Sequence, residues 1–188
     1  MKRLQIVGLS AGVAMLSACG HLPETSTSAS SVQIERTAHG IPHVQANNLE
    51  ALAYGVAYAH AQDNVCQTAD HLVTVRSQRS QVFGAQGTGM LGVRVLPNEQ
   101  IDAFIAAHMD DDRLQRLWAA SSPDNQALAR GYVAGYNRYL RDHADQLPEP
   151  CRGKSWVKAM SLADYHRAYE VVQVQAGAGG LADAIVAA

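Results

Sequence analysis

The sequence predicts an α+β fold that is mainly helical, with two short strands near its N-terminal end. Two stretches just past residue 31 alternate apolar and polar residues with the period of a half-buried strand. From Leu49 onward the apolar residues recur instead at three- and four-residue steps, the period of a buried helical stripe. The interruptions between periodic stretches fall at Gly, Pro, Ser and Asn, which are turn and cap residues. A chain of 188 residues that is 47% hydrophobic can bury one core of ordinary size. Fifteen basic against seventeen acidic side chains leave a net charge of -2, which excludes a broad electrostatic footprint for nucleic acid or an anionic membrane. A small, neutral or weakly charged partner fits this balance.

The first nineteen residues read as a signal peptide: Lys2 and Arg3 precede an apolar run, Leu4 to Leu16, that is too short to span a bilayer. The run closes on Leu16-Ser17-Ala18-Cys19, similar to a bacterial lipoprotein cleavage box, with Cys19 as the lipidated first residue of the mature chain. Ordinary signal-peptidase cleavage nearby, with Cys19 discarded, is the other reading. The expected location is the periplasm or cell envelope. Residues 20–31 are rich in Ser, Thr and Pro and read as a tether or propeptide. Folded structure is expected over residues 32–188.

Val32-Gln33-Ile34-Glu35 and Ile41-Pro42-His43-Val44-Gln45-Ala46 flank a turn signal at Gly40 and predict a pair of strands, with Pro42 at a strand start or an edge because it cannot donate to the ladder. Asn48 is the natural N-cap of a helix whose stripe (Leu49, Leu52, Val56, Ala59, Cys66, Ala69, Leu72, Val73) is expected to run to about Phe83 and stop at Gly84. Gly55 costs that helix about 1 kcal/mol relative to Ala, so close packing of another element is expected there. Gly84 to Gly92 reads as a loop, without the Lys-Ser or Lys-Thr of a phosphate cradle. Ile101, Phe104, Ile105 and His108 mark a short helix. A long helix should enter at Ser122-Pro123, carry Leu128, Tyr132, Val133, Tyr136, Tyr139 and Leu140, and end at Pro148 and Pro150. The last long helix should start at Ser161, capped with Asp164, and continue through Tyr169 and Val172. Gln175 to Gly180 is rich in Gly and Ala, and Leu181 to Ala188 reads as a weak apolar helix. Two strands do not make a stable sheet in water, which calls for strands from a partner segment.

Once Cys19 is set aside, Cys66 and Cys151 form an even pair in an exported chain, and a disulfide between them is expected to contribute ~4 kcal/mol on the chain-entropy model. Two buried free thiols are the alternative. The densest polar cluster is His60, Gln62, Asp63, Asn64 and Gln67; helical spacing puts His60 with Asn64 on one face and Asp63 with Gln67 on another. One His with one Asn is a poor metal set, and a packing network is the plainer reading. No Ser-His-Asp order, nucleophile elbow or zincin motif is present. Residue chemistry alone leaves the function open.

The string Ile34-Glu35-Arg36-Thr37-Ala38-His39-Gly40-Ile41-Pro42-His43-Val44-Gln45-Ala46, followed by Tyr54-Gly55-Val56-Ala57-Tyr58-Ala59-His60-Ala61-Gln62-Asp63-Asn64, resembles the opening of penicillin-acylase-type α chains. There an Arg-Asp-x-x-Gly-x-Pro-His-Ile-x-Ala strand pair precedes a Tyr-Gly-x-Gly-Tyr-x-x-Ala-Gln-Asp helix; Thr37 stands for the usual Asp and Ala57 for a usual Gly. Arg79-Ser80-Gln81-Val82-Phe83-Gly84, Gly131-Tyr132-Val133-Ala134-Gly135-Tyr136-Asn137 and Cys151-Arg152-Gly153-Lys154-Ser155-Trp156-Val157 agree in order. The last two, with Asp63-Asn64-Val65-Cys66, are more similar to the acyl-homoserine-lactone and aculeacin acylase branch.

The resemblance implies the α-chain part of a four-layer αββα N-terminal-nucleophile hydrolase fold, cut from a precursor and completed by a larger β chain. The nucleophile is then a Ser at the start of β. No catalytic residue is expected in this chain, which ends at Ala188 without the Gly-Ser autoprocessing junction. The implied substrate is a small acylated amide: an N-acyl-homoserine lactone in a quorum-quenching role, or a penicillin. The family's pocket-lining α helix falls on Asp164 to Gln175, which makes Tyr169, Val172 and Gln173 the expected substrate contacts. No cofactor is expected. Some of these acylases bind calcium through an α-chain Glu, but the matching stretch here reads Gly and Ala, and Glu170 in that region is read as a surface residue. The competing reading is a non-enzymatic helical envelope lipoprotein serving as a binding or structural module.

Overall fold

The structure, a computed structural model, describes residues 31–187. The expected signal peptide, Cys19 and the tether up to residue 30 lie outside the described residues. Strands β1 (Val32–Arg36) and β2 (Pro42–Ala46) pair antiparallel with Val32 opposite Ala46 and Ile34 opposite Val44. Their alternation works as expected: Val32, Ile34 and Val44 turn inward, and Gln33, His43 and Gln45 face out. The inward face lies on Gly55 of helix α1 (Leu49–Val75), where a Cβ would collide with Val32 and Val44. Close packing accounts for this glycine, which would otherwise weaken the helix.

Helix α1 starts where expected, its first turn capped by the Asn48 side chain accepting from the Ala51 N–H at 2.8 Å. It does not continue to Phe83. The chain leaves the helix after Val75 through Ser77, at φ 53°, and the Ser77 and Gln78 amides donate back to the Thr74 and Val73 carbonyls. A separate short helix, α2 (Arg79–Phe83), follows and ends at Gly84. The break serves Arg79. Its guanidinium enters the interior and bonds Asp70 (2.7 Å), Thr74 (2.9 Å) and Asn98 (2.9 Å), while Asp102 accepts from the Arg79 and Ser80 amides. A continuous helix would carry Arg79 past these partners.

The stretch read as a loop, Gly84 to Gly92, contains strand β3 (Thr88–Leu91), which pairs antiparallel with β4 (Arg94–Pro97) just beyond it to make a second hairpin. Leu91 and Leu96 fill the core from its inner face. Helix α3 (Asn98–His108) delivers Ile101, Phe104 and Ile105 to the same core, as the period predicts. Helix α4 (Asp111–Ala119), capped by Asp110, was not legible in the sequence. Helix α5 (Pro123–Asp142) enters at Ser122-Pro123 as expected but ends at His143, well before Pro148. There the backbone departs to φ -126°, ψ 22°, and a 3-10 turn, Ala144–Gln146, follows. Helix α6 (Leu162–Gly177) opens with the reciprocal Ser161–Asp164 capping box, and α7 (Ala182–Ala187) follows a 3-10 turn.

Two glycines fix the central helix pair. Gly131 and Gly135, four residues apart on α5, lie against the backbone carbonyls of Glu50 and Tyr54, where any side chain would overlap them. With Tyr58 packed edge-on to Tyr139 at 5.5 Å, the contacts advance together, so the first half of α1 runs beside α5 in the same direction. That register ends at Asn64, whose φ -137° and ψ 26° interrupt the helix. Past the bend, Arg76 stands near enough to Tyr136, at the middle of α5, for its charge to act on the phenol. The Cys66–Cys151 disulfide, Cα atoms 5.5 Å apart, ties the helix just after the bend to the segment following α5.

Candidate functional site

The bend in α1 makes a cleft of about 310 Å³. His60 and Asn64 line it from the arm before the break, Gln67, Thr68 and His71 from the arm after it, and Tyr132, Tyr165 and Tyr169 from α5 and α6 opposite. His60 and Asn64 thus share a face as expected. Asp63 and Gln67 do not. The helix breaks between them, so Gln67 turns into the cleft while Asp63 pairs with Arg36 of β1 at 3.2 Å.

No Asp, Glu, Lys or Arg lines this cleft. Burial lowers the pKa of His71, favouring the neutral ring near pH 7, and burial raises the Tyr132 and Tyr165 phenols, which stay protonated. Tyr132 and His60 share a hydrogen bond of 3.2 Å. The groups offer donors and acceptors to an uncharged ligand. His71 and Tyr165 escaped the sequence reading, and Tyr132 was read only as part of a helix stripe and a motif, because the bend that gathers them is not encoded in the apolar period.

A second cleft, also about 310 Å³, lies between α4, the start of α5 and α6, against Leu114, Leu117, Trp118 and Leu128. His166 stacks on Trp118 there, ring centroids 4.1 Å apart, and burial lowers its pKa. Tyr169 borders both clefts and is 65% exposed. Val172 and Gln173 are exposed on α6 and border neither. Glu170, read from sequence as a surface residue, is instead half-buried, and its carboxylate accepts from the Arg113 guanidinium at 2.5 Å. A carboxylate so paired does not suit a calcium ligand. Among the described residues no group of three His, Cys, Asp or Glu is placed to hold a metal.

The sequence motifs converge as scaffold around these clefts. Arg36 ties the first hairpin to α1, donating to the Gly40 and Ala59 carbonyls, to Gln62 and to Asp63. Asn137 clamps the Met160 backbone at both N–H and C=O, at 2.8 and 2.9 Å. Arg76 grips Asp164 through two hydrogen bonds of 2.7 and 2.8 Å and the Ala159 carbonyl through another, which sets the start of α6 against the end of α1. Phe83 meets Trp156 edge-on at 5.5 Å, joining two further motifs.

Residues 31–182 match the family model for penicillin amidase. The chain is similar to the acyl-homoserine lactone acylase PvdQ of Pseudomonas fluorescens, 38% identical over 157 residues that cover 83% of this chain and 20% of that protein. It is similar to the aculeacin-A acylase of Actinoplanes utahensis, 39% identical over 158 residues, 82% of this chain and 20% of the relative. Among solved structures it resembles a thermostable penicillin G acylase from Alcaligenes faecalis, with a TM-score of 0.65, 25% identity, and coverage of 80% of this chain and 75% of that chain. The chain spans about a fifth of the length of these curated relatives.

Proposed function

This chain belongs to the penicillin amidase family, and from that premise we propose that it is the α portion of an acylase that removes the acyl chain from N-acyl-homoserine lactones, with penicillins as a second substrate class. The observation that carries this reading is the 38% and 39% identity, over most of the chain, to acylases named for acyl-homoserine lactone and for aculeacin A. The chain covers 20% of those relatives but 75% of the penicillin G acylase chain, which supports this portion standing as a chain of its own beside a larger partner.

In the proposed reaction the N-terminal Ser of the larger chain attacks the amide carbonyl, and its own α-amino group, with an ordinary pKa of about 8, takes the hydroxyl proton. The α-amino group passes that proton to the departing nitrogen, the amine leaves, and water then hydrolyses the acyl-enzyme to release the acid and restore the Ser hydroxyl. The present chain supplies no proton transfer. It contributes the scaffold and, through Tyr169, Val172 and Gln173 on the exposed side of α6, a wall for the acyl group. Export by the signal peptide to the periplasm, with a lipid anchor at Cys19, completes the proposal, and the disulfide supports an oxidising compartment.

Expression of the full reading frame, with mass spectrometry of N-acyl-homoserine lactones before and after incubation, tests it. Two protein chains and released homoserine lactone are expected, with release abolished when the Ser at the head of the larger chain is replaced. A single uncut chain with no amide cleavage overturns the reading in favour of a helical lipoprotein.

A further inference from the structure

The cleft at the bend of α1 holds polar groups that the fold itself does not use. Among the described residues, the side chains of Asn64, Gln67 and His71 on α1 and the Tyr165 hydroxyl on α6 form no hydrogen bond, although all four residues line the same space. The polar side chains that join elements elsewhere in this chain are bound: Arg36, Arg76, Arg79 and Asn137 each hold two or more partners. Below these free groups, Leu72 and Met160 close the cleft with buried apolar side chains. An apolar floor with a few converging donors and acceptors is the composition of a small-molecule site, and about 310 Å³ lies at the small end of the ~300–1,000 Å³ that such sites span.

The charge of the occupant follows from the surroundings. No Lys or Arg lines the cleft, and the carboxylates adjacent in sequence to Asn64 and His71, those of Asp63 and Asp70, are paired with Arg36 and Arg79. His60 is engaged by the Tyr132 hydroxyl. A carboxylate entering here would lose its water and find no cation in exchange. His71 is neutral near pH 7 because burial lowers its pKa, and burial keeps the Tyr165 phenol protonated. The Asn64 and Gln67 amides each donate and accept. This lining suits an uncharged group that carries carbonyl acceptors and an amide N–H.

We propose that the cleft receives the lactone end of an N-acyl-homoserine lactone, with Gln67 and Tyr165 as specificity-determining contacts that select uncharged lactones over penicillins, whose nucleus carries a carboxylate. The inference rests on the reading of the chain as part of an acylase and decides between the two substrate classes of that reading. Tyr169 borders the cleft and also belongs to the proposed acyl wall, so the two ends of one substrate meet adjoining surfaces.

The first arm of the test uses γ-butyrolactone, an uncharged lactone with no amide to cleave, and the full-length protein. Saturation-transfer NMR should show the lactone bound, and Gln67→Leu combined with Tyr165→Phe should weaken binding by about threefold or more, as expected for the loss of neutral hydrogen bonds. Gln67 is exposed, and Tyr165→Phe keeps the ring that packs on Tyr132, so both substitutions spare the fold. The second arm reads specificity. Gln67→Arg places a cation in the cleft, and kcat/KM for a penicillin relative to that for an N-acyl-homoserine lactone should rise about tenfold, mostly through KM. Lactone binding that depends on Gln67 and Tyr165 in a protein that cleaves no amide would uphold the site and sink the acylase reading. No lactone binding, binding unchanged by the double substitution, or a substrate ratio unmoved by Gln67→Arg in an active acylase would each overturn the site.

Discussion

Asp164 shows how much one buried side chain can hold together here. Its burial pushes the carboxyl pKa up, but hydrogen bonds from Arg76, the Ser161 hydroxyl and the Ser161 amide outweigh that and hold it at about 2. A folded pKa below the unfolded value means stability that is present above about pH 4 and lost as pH falls through about 2. The contribution at neutral pH is on the order of 2 kcal/mol. Thermal unfolding of the full-length protein should lose melting temperature steeply between pH 4 and pH 2. Asp164→Asn should lower the melting temperature at pH 7 and flatten that slope; an unchanged slope in the variant would place the acid sensitivity elsewhere. By contrast Arg36–Asp63 is a solvent-reached pair, 30% and 47% exposed, worth well under ~1 kcal/mol as a charge interaction. Its importance is positional, because the same guanidinium also binds two backbone carbonyls.

At the scale of elements, Gly131 and Gly135 decide how α1 and α5 meet. In an isolated helix Gly135→Ala would be favourable by about 1 kcal/mol. In this pair the new methyl would overlap the Tyr54 carbonyl oxygen, a backbone atom that cannot rotate away, so the helices must separate. Overpacking of this kind costs about 1–3 kcal/mol, and the sign reverses. The variant should melt several degrees below the parent in the full-length protein, and a more stable variant would show that the helices are not packed this closely. The same scale explains what the sequence could and could not disclose. The first hairpin, α3, the entry of α5 and the Ser161–Asp164 box were legible because each has a local signal, a period or a cap. The split of α1 from α2 was not, because Ser77 adopts its left-handed backbone for the sake of Arg79, whose partner Asn98 lies on a different helix. The second hairpin was hidden by Gly89, which removes an inward side chain, and by Met90 and Val95, which reverse the expected outward polarity. Of the first cleft, His60 and Asn64 were visible as one helical face; His71, Tyr132 and Tyr165 join them only because the helix bends.

For the whole molecule, the question is whether this portion folds as an independent unit. Its interior is continuous, from Val65, Leu72 and Val75 of α1 through Phe104 and Tyr136 to Met160 and Val171. Its exterior is another matter. Both sheets are two-stranded, and Met90, Val93, Val95, Val172 and Leu181 all stand more than half exposed. A two-stranded hairpin is marginal in water, and apolar side chains left uncovered contribute nothing like the ~1.5–3 kcal/mol each gains on full burial. The interior therefore has to order a chain whose two hairpins and exposed apolar side chains return little until something covers them. Residues 31–188 produced alone should unfold over a broad range without a sharp calorimetric transition, and should bind a hydrophobic dye, whereas the same residues within the full-length protein should melt cooperatively and not bind it. A sharp, dye-free transition of the lone chain would mean that these exposed apolar side chains need no cover, and it would count against the reading of this chain as one part of a larger acylase.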